Sequence, residues 1–373
     1  MTQEKDPFAD VDAEQARRAA ATAEKPAPFA WLDDKLRPIR ARDGGIDWFR
    51  EAPPRREYLL RYIGEQGREP EGVLAAGRVG FLASPGGVGK SHALCSLALA
   101  VAVADREQRT TWLGALEVDP NRAGRVLMLM GEEEEPEIRR RLYSAARTMG
   151  LSVDDHERAL DRIVPVPLSG VDGVAMTQTP GPGETKTETA FSEALRHRLN
   201  EAGPWSLVVV DPLARFAGDD VEKDNTAATR LVQVLEKLQH LPGSPTIIVA
   251  HHTRKRSSDE KGTEVLADDM RGASGLRDGA RFVAVLEEQE IIDGAPNLVR
   301  FAVRKNNYGT RPAFMLRRLD HGELRRATPA EEKQHGDAVR EREVGRKAEK
   351  ESVTQEARAQ AKNAAKLILG DLA

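Results

Sequence analysis

A chain of 373 residues with 40% apolar side chains is long enough for one large core or a domain with appendages. With 56 basic against 60 acidic residues the formal charge is −4, which excludes bulk cationic attraction to nucleic acid; any such contact must come from a local basic surface. The single cysteine, Cys95, excludes an internal disulfide, and the opening residues MTQEKDPFADVD carry no secretory signal, so a cytoplasmic protein with no membrane partner is expected.

Residues 1–30 are rich in Ala, Glu, Asp, Lys and Pro without apolar periodicity, and predict a mobile N-terminal arm. Residues 31–76 mix aromatics and leucines with prolines, the pattern of an ordered strap leading into a core. From 77 to 327, short apolar runs alternate with amphipathic segments: RVGFLAS, RVLMLMG, RIVPVPL, WSLVVVD, TIIVAHH, RFVAVLE and LVRFAVRK. Strands buried on both faces and separated by helices predict an α/β core with a mainly parallel sheet between helices. The last two runs lie close together around DGAPN and predict an antiparallel hairpin. The Gly/Pro/Thr stretch from Ser169 to Thr187 reads as a surface loop. Residues 328–373 are charged and alanine-rich, predicting one or two outer helices anchored through AAKLIL.

The first chemical motif is SPGGVGKS, Ser84 to Ser91, between an apolar strand and the apolar run from Ala93 to Ala104, which suits a buried helix. It matches the phosphate-loop pattern G-x-x-x-x-G-K-[ST] except at its first position, where Ser84 replaces glycine at the strand exit. Gly86, Gly87 and Gly89 let successive N–H groups of Pro85–His92 face one anion, aided by the helix N-terminus. Lys90 is placed to reach the β- and γ-phosphates of ATP, and Ser91 to offer a hydroxyl to Mg²⁺. The bland alternative, a glycine-rich turn, does not account for strand, loop and helix falling in register. The cofactor-binding set is therefore Ser84, Pro85, Gly86, Gly87, Val88, Gly89, Lys90, Ser91 and His92.

A carboxylate that shares the Mg²⁺ is expected at the end of a buried strand, and Asp211 closes WSLVVVD. In many ring ATPases of the AAA+ type an acidic residue follows this Asp, whereas Pro212 follows here. The base that orients water must come from elsewhere. RVLMLMGEEEEPEIRRRL offers Glu132, with Glu133 in reserve, while Glu134 and Glu135 read as caps of the next helix.

At this point the sequence resembles the RepA-type replicative helicases of plasmids, mobile elements and phages, within the RecA/DnaB-like ring motors. The matching residues are GRVGFLASPGGVGKS, RVLMLMGEEEEPEIRRRL, LVVVDPLARFAGDDVEKDNTAATRLV, IIVAHHTRK, MRGASGLRDGARFVAVL and RKNNYG, in the family's order from about Val79 to Gly309. The resemblance implies a RecA-like P-loop core and a homohexameric ring with ATP hydrolysed between subunits. It also implies single-stranded DNA in the central hole, duplex unwinding in replication, and a replication initiator or primase as partner. No primase or sequence-specific DNA-binding module is visible in this chain.

Carried over by position, a polar residue ending the strand after Asp211 senses the γ-phosphate. His252 fits better than His251 because alternate side chains of a strand face the same side, although a packing pair of histidines is the plain alternative. Residues 253–275 become the central-pore loop, where Arg254, Lys255 and Arg256 would grip DNA phosphates without aromatic platforms for bases; Lys261 reads equally well as a solvated charge. The cation that reaches a neighbour's γ-phosphate comes from Arg271 or Lys305, with Arg281 and Arg304 as further candidates. RKNNYG departs from some related phage helicases by carrying Asn307 where they place arginine, which leaves that role open. Two other functions fit the same motifs: an ATP-gated regulator or scaffold that binds a partner or DNA without unwinding, and a recombinase-like filament. A metal hydrolase built on His251 and His252 is rejected, because adjacent residues of a strand point to opposite faces.

Overall fold

In the computed structural model, residues 31–39, 48–64, 68–107, 109–179, 181, 187–218, 221, 224–253 and 274–370 are described. The expected N-terminal arm, the pore-loop cations Arg254, Lys255, Arg256 and Lys261, and Arg271 lie outside these residues. The chain forms two units, residues 1–56 and 57–373. In the first, α1 spans Trp31–Lys35. Part of the stretch read as a strap, from residue 57 onward, belongs to the second unit and forms strands there.

The second unit runs in chain order through β1 (Tyr58–Tyr62), β2 (Glu71–Ala75), β3 (Val79–Ser84), α2 (Lys90–Val103), β4 (Thr111–Trp112), β5 (Leu116–Val118) and β6 (Val126–Met130). Then come α3 (Glu135–Met149), α4 (Val153–Arg162), β7 (Ile163–Pro167), β8 (Thr177–Gln178), β9 (Thr187–Glu188), α5 (Ala190–Ala202) and β10 (Leu207–Asp211). The remainder is α6 (Leu213–Phe216), α7 (Asn225–Lys237), β11 (Thr246–His252), α8 (Ser274–Gly279), β12 (Phe282–Glu288), β13 (Leu298–Asn306), β14 (Ala313–Arg318), β15 (Leu324–Arg326) and α9 (Pro329–Gly370).

Nine strands form the main sheet in the order β15-β14-β13-β12-β3-β11-β10-β6-β7. From β12 to β7 every neighbouring pair is parallel, and β13, β14 and β15 continue as antiparallel neighbours. This is an α/β fold of the RecA-like P-loop class, with the expected hairpin (β12–β13) extended by two further strands. The parallel strands are apolar on both faces because both faces are covered. Along β10, Leu207 and Val209 enter one hydrophobic cluster and Val208 and Val210 the other; in β11 the same division separates Ile248 and Ala250 from Ile247 and Val249.

α2 is apolar on every side, and a helix of that kind must be covered all round. One side meets the main sheet and α3, and the other meets a small antiparallel sheet ordered β2-β1-β5-β4, which the sequence pattern did not announce. Trp112 of β4 joins them: its indole donates to the carbonyl of Ala93 on α2 (2.7 Å), and its ring meets Phe301 of β13 edge-on at 5.6 Å. Within the stretch from Ser169 to Thr187, read as loop, Thr177 and Gln178 pair with Glu188 and Thr187 as a two-stranded ribbon.

The C-terminal segment is one helix, α9. Its packed part is the beginning, where buried His335 meets the carbonyl of Pro296 (3.1 Å) and Arg342 and Arg346 pair with Glu290. The side chains of AAKLIL lie outside the described residues. Among the described residues no helix is long and apolar enough to cross a membrane.

Candidate nucleotide site

The sheet order decides where the functional groups meet. Strands β3, β11, β10 and β6 are consecutive neighbours and parallel, so the loops after all four leave from the same edge. At about 4.8 Å per strand, β3 and β10 lie roughly 10 Å apart with β11 between them. Register pairs His252 with Ser84 and Asp211 with Met130, which places the four strand ends level.

The turn after β3 leads into α2 through Gly89, whose φ of +112° favours glycine and whose absent side chain leaves room for the carbonyl of Gly322. Lys90 begins the helix and is buried. Its ammonium donates to the carbonyl of Ser84 (3.1 Å), to Ser84 Oγ (2.9 Å) and to the carbonyl of Pro85 (3.1 Å). Ser84 therefore does what a glycine could not: its hydroxyl helps to hold the lysine. Burial lowers the Lys90 pKa to about 8, against the opposing attraction of Asp211 and then Glu132.

Asp211 is also buried, and burial raises its pKa, countered by the Ser91 hydroxyl and by the charge of Lys90. Its Oδ2 has no hydrogen-bond partner. A buried carboxylate oxygen without a partner is costly unless a cation completes it. Ser91 and Asp211 are hard oxygen donors of the kind Mg²⁺ takes, so the pair fits that ion.

Glu132 is exposed in the turn after β6, close enough for its charge to act on Lys90. Glu133 points elsewhere, with Oε1 at 2.7 Å from Nη1 of Arg141 on α3. Glu134 occupies the N-cap position of α3, but its side chain makes no capping bond; Glu135 lies in the first turn, where its charge suits the helix dipole, and Pro136 presets the backbone. The expected capping role is thus electrostatic alone. Gly131 leaves no room for a side chain, since a Cβ there would stand 2.7 Å from Cβ of Arg215.

The two histidines diverge as the strand alternation requires. His251 is buried with its ring edge against Phe81 (6.4 Å), whereas His252 Nδ1 stands 3.5 Å from the Lys90 ammonium. Lys305 lies on β13, away from these groups; its ammonium donates to the carbonyls of Arg277 (2.7 Å) and Asp278 (3.2 Å) at the end of α8. Arg304 pairs with Glu287.

Next to the loop, an open cleft of about 650 Å³ is lined by His92, Arg140, Arg141, Tyr143, His321 and Glu323. Burial, reinforced by Arg141, keeps the His92 pKa below its ordinary value, so the ring is neutral there. Three positions escaped the sequence reading. Arg141 could have been found from its i,i+4 spacing to Glu137. Arg215, which donates to the Gly131 carbonyl (3.1 Å), and Glu323, which lies far along the chain, carried no local signal.

Residues 36–258 match the family described as AAA domain, well over half of the chain. The chain belongs to that family. This AAA domain protein is a P-loop ATPase by family. Two solved structures resemble it. One is the ATPase domain of a helicase, at 12% identity and a TM-score of 0.45 over 67% of this chain and 85% of that one. The other is the RadB recombinase, at 18% identity and a TM-score of 0.42 over 69% of this chain and 93% of that one.

Proposed function

We propose that this AAA domain protein is an ATP-driven translocase of the RepA helicase type, acting as a homohexameric ring on single-stranded DNA in the cytoplasm during replication of a plasmid, phage or mobile element. The observation that supports it best is the meeting of Lys90, Asp211, His252 and Glu132 at four adjacent strand ends.

In this reading the N–H groups of Pro85–His92 and the Lys90 ammonium bind the phosphates, and Lys90 trades its loop oxygens for them. Ser91 and Asp211 hold Mg²⁺, which when bound neutralises charge on the phosphate oxygens. Glu132 orients the attacking water and takes its proton. His252, touching the same ammonium, reports phosphate loss to the segment that follows it, where Arg254, Lys255 and Arg256 grip DNA. Arg271 or Lys305 serves the neighbouring subunit's site. The exposed ring of Tyr143 and the cleft beside His92 offer a seat for the base.

The test is ATP hydrolysis with and without single-stranded oligonucleotide, alongside strand displacement, in the wild type and Lys90→Ala. DNA-stimulated hydrolysis and unwinding, both lost in the variant, are expected. Nucleotide-dependent binding with no unwinding would identify an ATP-gated scaffold instead.

A further inference from the structure

Glu132 lies between two neighbours that are each held in place. On one side, the Gly131 N–H donates to the carbonyl of Asp211 (2.7 Å), and the Gly131 carbonyl accepts from Nε of Arg215 (3.1 Å). On the other, Glu133 is paired with Arg141 at 2.7 Å, with only 20% and 18% of the two side chains exposed. Arg141 is itself steadied by Glu137, one turn back on α3 (3.1 Å). The residues from 131 to 134 belong to neither strand nor helix, so the direction of the Glu132 carboxylate depends on what holds its two neighbours.

The Gly131 contacts tie the turn to β10 and α6, and the Glu133 pair ties it to α3. Without the second tie the peptide after Glu132 is free to rotate, and an exposed carboxylate on a free peptide samples many directions. The half-buried setting of the pair, away from bulk solvent, makes it stronger than an exposed ion pair.

We propose that Arg141 is a positioning residue: by holding Glu133 it fixes the turn between β6 and α3 so that the Glu132 carboxylate faces Lys90. Adjacent glutamates then have separate duties, Glu132 toward the nucleotide and Glu133 toward the arginine. The inference rests on the role given to Glu132 above, and the experiment separates the two.

Steady-state ATP hydrolysis by the full chain on single-stranded oligonucleotide is compared for Glu132→Gln, Glu133→Gln, Arg141→Met, Arg141→Lys and the double variant Arg141→Met/Glu133→Gln. Thermal unfolding and ATP binding are followed in parallel. Glu132→Gln is expected to lose about 10²-fold or more in kcat, in the range of a lost general base. Glu133→Gln and Arg141→Met should each lose about tenfold, the double variant no more than either single, and Arg141→Lys should recover part of the loss, as groups acting as one unit do.

Arg141 also lines the cleft, so the KM test falls on Glu133→Gln, which leaves the cleft intact and should keep the KM for ATP. A staple that only stabilises α3 would lower the unfolding temperature and leave kcat unchanged below the transition. Full kcat in Arg141→Met, losses that multiply in the double variant, or a Glu133→Gln variant as inactive as Glu132→Gln would each overturn the positioning role. Wild-type turnover in Glu132→Gln would instead remove the role of Glu132 itself.

Discussion

The Ser91 hydroxyl faces the carboxylate of Asp211 and favours its charged form, yet Asp211 Oδ2 is buried without a partner. One oxygen is thus left for a cation, and without one the fold carries a desolvated charge. Replacing Asp211 by Asn should raise the melting temperature measured with a metal chelator by a few degrees while abolishing hydrolysis, a trade of stability against function. The sign with pH follows from the raised pKa. The folded chain holds this proton more tightly than the unfolded chain, so the group favours folding more as pH falls toward the unfolded value of 3.8, and that contribution is lost as pH rises through the folded value. The Asn variant should lose this slope in chelator-treated protein, and a melting temperature equal to or below that of the wild type would contradict the account.

Lys90 supplies a second pH signature. With its pKa held to about 8, it is charged in the free protein below that pH and increasingly neutral above it. A triphosphate demands the charged form, so above pH 8 binding must take up a proton, and affinity should fall by up to about tenfold per unit. Calorimetric titration with ATP near pH 9 in two buffers of different ionisation enthalpy should reveal the uptake, and Lys90→Met should abolish it. Buffer-independent heats in the wild type would refute the assignment.

His251 and His252 should behave as unlike residues despite being neighbours. His251→Ala leaves a gap beside Phe81 and is expected to cost about 1–3 kcal/mol of stability with little change in ATP binding. His252→Ala should leave stability and ATP binding nearly intact and reduce stimulation of hydrolysis by single-stranded DNA several-fold. Chemical denaturation and DNA-stimulated turnover read the two effects separately.

The seven apolar runs were legible in the sequence because parallel strands buried on both faces leave continuous hydrophobic stretches, and their order placed the loop, Asp211 and the glutamates on paper. The small sheet was not legible: Glu71–Ala75 and Tyr58–Tyr62 are short, half-polar and flanked by prolines, and what fixes them is distant. Asn306 donates to the carbonyl of Val73 (2.7 Å), and the Thr310 N–H donates to the carbonyl of Gly72 (2.9 Å), bonds that span well over 200 residues. The division between Glu132 and Glu133 was likewise closed to sequence reading, because both sit in one acidic run and only the position of Arg141 across the turn tells them apart.

The level register of β3, β11, β10 and β6 ties the fate of these groups together. Since neighbouring residues of a strand face opposite ways, a slip of one residue in β10 or β11 would turn Asp211 or His252 into the core and bring an aliphatic side chain to the mouth. A misassembled molecule is then wholly inert instead of merely slow. In a preparation of uneven quality, specific activity would count correctly built molecules, each working at full speed.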